Sequence, residues 1–567
     1  MKKYIIPIVA LAFFACGCSQ ERLDIDQKGV VSYETFYDDS DENCQSAITA
    51  MYDQAIRTTG NWRIYVPLNY VFSLPGDDMY AGGGSYGDCD YAGQLSDFRT
   101  EITNDAVSTL YSESYQIIYT ANLVIDNFTP STSVKKELIA QAKAMRAAYH
   151  LYLAIAFGTP PLVDHVLGAT DKPGNSDHNE LLEWCATELE AAAADLDERS
   201  STTDKAHAYQ WSKGAAYAFA GKARLFKGDY SGAKTDLQKV IDSKKYALVP
   251  SEKLHTLWEV DGDGCEEKIF EYNQDYNASI AIWGSGVTAQ IVHTTWMAAH
   301  SGNWRWDHMA GIPSSMYTQG WGFSNPTKKY AEALIDNDGM DSYRRKAFIK
   351  TYDEAIGISG NAETDLAYAS DDSCPTLDDK KADKNRGSST TAGMFCVEGY
   401  FNWKTISLAK DIIQGTWNDR NFNLMRYAEV LLMYAEACAQ LGETSGAGLA
   451  ALNQIQTRAG SKHISSTLNM TEVKNEKFLE MFNEGCRWAD LVRWGDASKE
   501  LASMGEEHPY QLDKMFTDGS ATHEGYVKYQ KNNAMLEHGY KEGKHNLMPF
   551  PYSATSVNEN LVQNPGY

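Results

Sequence analysis

The sequence is poor in proline and in positive charge, and it has no apolar run long enough to span a membrane. Only 15 prolines stand among 567 residues, while 43% of the chain is hydrophobic and 22% charged. That balance excludes a disordered chain and provides for large buried cores. Lys and Arg total 51 against 76 Asp and Glu, a formal charge of −25. Such an excess repels a phosphate backbone, so nucleic acid is not an expected partner; a neutral or cationic ligand suits this surface better. The mean hydropathy is −0.44, and the longest apolar stretch, Tyr4 to Cys16, falls short of the ~20 residues of a membrane-spanning helix. The mature chain is not expected to cross a bilayer. No C-x-x-C pair occurs, which removes the zinc and thioredoxin-like readings. Cys185, Cys438 and Cys486 lie in helical sequence beside apolar residues, the setting of small buried thiols. His150, His165, His178 and His207 are scattered, with no H-E-x-x-H or regular histidine cluster.

What is present begins at the N-terminus. Lys2 and Lys3 precede an apolar stretch from Tyr4 to Ala15, and small residues lead into Cys16-Gly17-Cys18-Ser19, the layout of an export signal. Because the cleavage region ends in cysteine, it resembles a bacterial lipobox with Cys18 as the lipidated residue, Cys16 being the alternative. Residues 1–17 are then the signal peptide and 18–40 the lipid anchor and a polar tether.

From about Asn43 the pattern turns helical. Helices are expected over Thr109–Phe128, Val134–Phe157, Asn179–Leu196, Tyr209–Phe226, Tyr230–Ser243, Phe422–Leu441 and Ser445–Ala459. Tyr427, Leu431, Tyr434 and Cys438 make one apolar stripe, with small Ala428, Ala435 and Ala437 beside it. Two pairs, 209–243 and 422–459, have the layout of tetratricopeptide units, turning at Lys227-Gly228-Asp229 and Leu441-Gly442-Glu443. Such pairs cannot bury their own faces and must stack. Leu248–Asn421 and Leu68–Asp105 are richer in Gly, Asp, Asn and aromatics, and read as long irregular segments without helical period. The expected fold class is mostly α, a helical-pair scaffold at about 104–247 and 420–500 carrying ligand loops at about 65–103 and 248–420.

Gly82 to Gly87 satisfies both G-x-G-x-x-G and G-x-S-x-G, but acidic Asp77, Asp78, Asp88 and Asp90 flank it where a phosphate would sit, so it reads as a flexible loop. Asp261-Gly262-Asp263-Gly264 and Asp336-Asn337-Asp338-Gly339 read as acidic turns; neither continues as an EF-hand, which leaves room only for a structural calcium and implies no other cofactor. The aromatic residues depart most from expectation. Trp283, Trp296, Trp304, Trp306 and Trp321 put five of 13 tryptophans between positions 283 and 321, where even scatter would give about one. Their neighbours are polar. An indole face suits a sugar ring, whose faces are C–H and whose rim is hydroxyl. The candidate ligand residues are therefore Trp296, Asn303, Trp304, Arg305, Trp306, Tyr317 and Trp321, with a second group, Asp77, Asp78, Tyr80, Tyr86 and Tyr91, around the Gly-rich loop.

Several blocks, taken in order, resemble the SusD/RagB family of surface lipoproteins, which capture glycans for TonB-dependent import across the outer membrane. They are Tyr119–Ile125, Ala140–Ala147 leading to Phe157-Gly158-Thr159-Pro160-Pro161-Leu162-Val163, Met425–Ala437, Arg458-Ala459-Gly460, Glu484–Leu491 and the terminal Gln563–Tyr567. Pro160 and Gln456 are small departures from the family pattern. The resemblance implies one SusD-like domain over 41–567, a tetratricopeptide scaffold packed on a SusC-like transporter, a glycan ligand, lipid anchorage to the outer membrane and no catalysis. It also implies that Arg426, Tyr434 and Trp488 pack rather than bind. A peptide-binding relative and a glycoside hydrolase are the alternatives.

Overall fold

The computed structural model describes residues 36–56, 58, 67–83, 87–273, 322–351, 354, 396–406, 408–414, 417–418, 420–512, 527–532 and 537–567. The signal segment, Cys18 and the loop at 371–391 lie outside them. Helix α1 (Asp41–Ile56) and helix α2 (Pro67–Ser73) precede strand β1 (Met79–Gly82) and helix α3 (Asp90–Ser96). The first half of the scaffold follows as α4 (Asp105–Asn127), α5 (Ser133–Phe157), α6 (His178–Ala193), α7 (Lys213–Lys227) and α8 (Tyr230–Ser243). Asn104, Thr132, Asp177, Ser212 and Asp229 start these five. Each side-chain oxygen accepts from a first-turn amide that has no partner within the helix.

The middle of the chain is less regular. It contains β2 (Lys268–Tyr272), β3 (Phe323–Pro326), α9 (Lys328–Asp338), α10 (Tyr343–Phe348), β4 (Ile349–Thr351), β5 (Tyr400–Asn402), β6 (Ile412–Gln414), β7 (Trp417–Asn418) and β8 (Phe422–Arg426). After it come α11 (Tyr427–Gln440), α12 (Ala447–Ala459), α13 (Met470–Glu480), α14 (Arg487–Trp494), β9 (Glu507–Leu512) and β10 (Val527–Lys531), with single-turn helices at Ala497–Glu500 and Tyr552–Thr555. The strands form two-stranded antiparallel ribbons, β1 with β3, β2 with β8, β4 with β5, β6 with β7 and β9 with β10.

Helices α4 to α8 pack each on the next, and α8 then packs on α11, which packs on α12. The two helical pairs are thus neighbours in one stack, although the middle of the chain separates them in the sequence. Lys222 of α7 reaches Glu429 of α11 at 3.0 Å, Lys234 pairs with Glu443, and the Tyr246 and Tyr427 rings stack at 6.3 Å. Gly221 permits the close approach of α7 and α8, since a Cβ there would lie 2.6 Å from Leu237. Cys185, Cys438 and Cys486 are buried free thiols, and Arg426, Tyr434 and Trp488 are buried as well.

The family-like motifs are packing devices. Asn122 donates to the Val163 and His165 carbonyls at 3.1 and 3.0 Å, and Arg146 donates to Asn122 at 2.7 Å and pairs with Glu188. His150 Nε2 accepts from the Val163 amide at 2.9 Å, and burial lowers its pKa to about 3, so the ring is neutral. Together these residues fold the 158–166 segment back over α4 and α5. A second device is ionic. Arg426 bonds Glu267 (2.8 Å), Glu480 (2.7 Å) and Glu484 (2.6 Å), Arg458 shares Glu267 and Glu480, and Arg344 joins Asp338, Glu476 and Glu480. This lattice ties β2, β8, α9, α10, α12 and α13.

Four expectations change, and the first is that Leu68–Asp105, read as irregular, holds the helices α2 and α3. The helix expected from Phe422 starts at Tyr427, because Phe422–Arg426 pairs as a strand with the fully buried β2; the apolar stripe itself begins only at Tyr427. The helix expected from Tyr209 starts at Lys213 behind the Ser212 cap. The irregular middle holds α9, capped by Thr327 and burying Tyr330, Ala331 and Leu334. Its C-terminal turn is the acidic run 336–339. There Asp338 takes a two-point bond from Arg344 at 2.7 and 2.9 Å.

Candidate functional site

Strand β1 leads into the Gly-rich loop, and β3 follows directly on the Trp-rich segment. Their pairing sets Tyr80 opposite Asn325 and Gly82 opposite Phe323. The Gly83 amide donates to the Gly322 carbonyl at 2.8 Å. Only glycine fits at 82, where φ is +80° and a Cβ would lie 2.2 Å from the Gly322 oxygen. The residue after Trp321 is therefore bonded to the loop that leads to Tyr86. Strands β1 and β3, more than 200 positions apart in the sequence, thus pair as one ribbon. Trp296, Asn303, Trp304, Arg305, Trp306, Tyr317, Trp321 and Tyr86 themselves lie outside the described residues.

Tyr80 is half-buried, and its hydroxyl bonds the buried Glu398 carboxylate. Glu398 also accepts from the Tyr529 hydroxyl and from the Lys328 amide at 2.5 Å; burial pushes its pKa up. Tyr529 lies on β10 and is 39% exposed. One carboxylate thus holds two phenols from β1 and β10 at the ribbon. The wall beside them is made by β9, whose Pro509 carbonyl accepts from the Cys396 amide at 2.8 Å, and by His508, bonded to Asn532 at 2.7 Å. A cleft of about 30 Å³ remains between Tyr80, Gly93, Asp97, Cys396 and His508, room for about one water.

The acids of the group face inward. Asp77, 3% exposed, takes Arg487 Nε at 2.6 Å and Nη2 at 2.9 Å, and Lys329 Nζ at 2.5 Å. Burial opposes its ionisation, but these cations prevail and hold its pKa below the usual carboxylate value. Asp78, also 3% exposed, has one oxygen without a hydrogen bond. Burial, then the Asp77 charge, raises its pKa to about 7. The backbone carbonyls of the two accept from Thr327 Oγ1 at 2.8 Å and Thr327 N at 2.9 Å, bracing β1 on the start of α9. Tyr91 lies half-buried on α3, its ring 6.4 Å from Tyr70. Sequence reasoning did not find Glu398, Tyr529, Lys329 or Arg487. None has a local pattern, since each earns its place by pairing across the fold. Among the described residues, no group of three or more His, Cys, Asp or Glu is arranged to hold a metal ion.

Comparison with known proteins agrees with this architecture. The sequence profile described as SusD family matches residues 266–567, more than half of the chain, and a second, described as starch-binding associating with outer membrane, matches 87–225. A SusD-like protein of Formosa agariphila is 26% identical over 512 residues, 87% of this chain and 91% of that one. The starch-binding protein SusD of Bacteroides thetaiotaomicron is 25% identical over 455 residues, 76% of this chain and 72% of its own. Surface glycan-binding protein A of the same organism, solved in complex with laminarihexaose, has a TM-score of 0.70 at 22% identity, over 92% of this chain and 99% of that one. That likeness is one of fold. No described helix is long and apolar enough to cross a membrane.

Proposed function

The chain belongs to the SusD family, and from that membership we propose a non-catalytic, surface-exposed oligosaccharide-binding lipoprotein of the outer membrane. It captures glycan and delivers it to a SusC-like TonB-dependent transporter. The observation that carries the reading is the β1–β3 ribbon, which brings the end of the Trp-rich segment to the Gly-rich loop and leaves Tyr80 and Tyr529 at the same edge. Aromatic faces with hydroxyl and amide partners are the means by which a protein recognises a neutral sugar in water. The relatives named for starch and laminarihexaose support a glucan-like ligand class, and the family's description supports outer-membrane association. The inward carboxylates support binding without chemistry, because Asp77 and Glu398 are engaged by internal partners and not presented to a ligand.

The test is titration of residues 19–567 with a panel of plant, host and microbial oligosaccharides. A saturable hit is expected, weakened by ~1–3 kcal/mol in Trp304→Ala or Trp306→Ala with little change in Tm. A blank panel from folded protein, with binding to peptide pools instead, would overturn the glycan reading.

A further inference from the structure

A second pocket lies apart from the β1–β3 ribbon and shares none of the residues named there. Three pieces of chain build it: the 3-10 helix Ser251–Trp258, α10 with β4, and the turn that follows β5. The Trp403 and Lys404 amides both donate to the Phe348 carbonyl, at 2.8 and 3.1 Å, and pin that turn to the end of α10. Trp258 is fixed by its edge contact with Phe348 (5.3 Å between centroids, 84° between planes) and by the Lys404 ammonium 4.4 Å from its centroid. Lys404 is itself held from below, donating to the Phe482 carbonyl at 2.6 Å and pairing with Glu484. The indole is therefore locked before any ligand arrives. The cavity so formed measures about 240 Å³ and is lined by Trp258, Trp403, Tyr343, His255, Lys346 and Lys350. Pockets for drug-sized ligands run from ~300 Å³ upward, so this one suits a single ring.

Its rim carries one cation, Lys350, outside any ion pair among the described residues, beside Lys346, which pairs with Asp341 at 3.0 Å. Lys350 lies with its ammonium 5.5 Å from the Trp403 centroid, donating to the Lys346 carbonyl at 3.1 Å. Among the described residues no carboxylate lies within ion-pair distance of it. Glu354, which acts on it through space, has its Oε2 taken by Arg345 at 2.5 Å and the Thr351 amide at 2.9 Å. Glu259 at the rim is paired with Lys410 at 2.8 Å, and Glu252 is exposed. Burial depresses the Lys350 pKa, which reports a cation short of compensation. In a chain with 76 acids, leaving a partly desolvated ammonium without one at the mouth of an aromatic pocket selects for an external anion. We infer that this pocket binds a sugar ring bearing an anionic substituent, a carboxylate or a sulfate ester. The indoles and Tyr343 take the C–H faces, and Lys350 takes the charge.

Titration of residues 19–567 with a hexuronate trisaccharide, a sulfated hexose trisaccharide and the neutral hexose trisaccharide tests this. At least one anionic probe is expected to bind saturably, more weakly as salt rises, in the presence of saturating neutral glycan. Lys350→Met should lower that affinity by about tenfold or more and Trp403→Ala likewise, while Lys350→Arg keeps it. Neutral-glycan binding should be weakened in Trp304→Ala and unchanged in Lys350→Met, which separates the two binding events. Failure of both anionic probes to bind folded protein, or undiminished binding by Lys350→Met, would overturn the inference.

Discussion

Asp78 is a carboxyl group with 3% exposure, an unbonded oxygen and the charged Asp77 beside it, and its pKa of about 7 stands above the unfolded value of 3.8. The folded state therefore holds a proton that the unfolded state releases. Its stabilising contribution is complete below pH 3.8 and is lost as pH rises through about 7. Asp78→Asn removes that dependence while keeping the shape. It should be more stable than wild type at alkaline pH, by on the order of 4 kcal/mol at about 1.4 kcal/mol per unit, and close to it under acid conditions. Thermal denaturation of both proteins at acid and alkaline pH measures this; an equal difference at the two would contradict it. Asp77, one residue earlier, shows the opposite shift because Arg487 and Lys329 face it. The pair read alike in the sequence and differ only through their partners.

At the scale of elements, the β2–β8 ribbon and its arginine decide where α11 begins. Arg426 closes β8, and its guanidinium is surrounded by Glu267, Glu480 and Glu484. Removing one member of a buried ionic group leaves the rest uncompensated, at a cost of about 3–5 kcal/mol. Arg426→Met should destabilise the fold by that amount, and Glu480→Gln in the same chain should add much less than it does alone. Additive losses in urea denaturation would show that the lattice is not a unit. The start of α8 was legible because a cap and its first turn lie within four residues, as at Asp229. The strand at 422–426 was not, because its pairing partner at 268–272 lies some 150 positions away.

For the whole molecule, the proposed anchor rests on Cys18, and no described helix is long and apolar enough to cross a membrane. Cys18→Ala should move the protein from the membrane to the soluble fraction when the transporter is absent, since acyl chains are then its only membrane contact. Retention of that variant in washed membranes would refute the anchor. A net charge averages over the whole surface, so it leaves room for a local cation such as Lys350.

The sequence by itself determined the helical pairs, their caps and turns, the buried thiols and the order of family-like blocks, because each is encoded in residues close along the chain. Tertiary structure alone decided that α8 stacks on α11 across the intervening segment, that β1 meets β3, that Asp77 turns inward to Arg487, and that Lys350 lies over Trp403 with no ion pair among the described residues. Capping and periodicity act over one or two turns of chain. Packing, desolvation and ion pairing act over a few ångströms of space, whatever the separation in sequence.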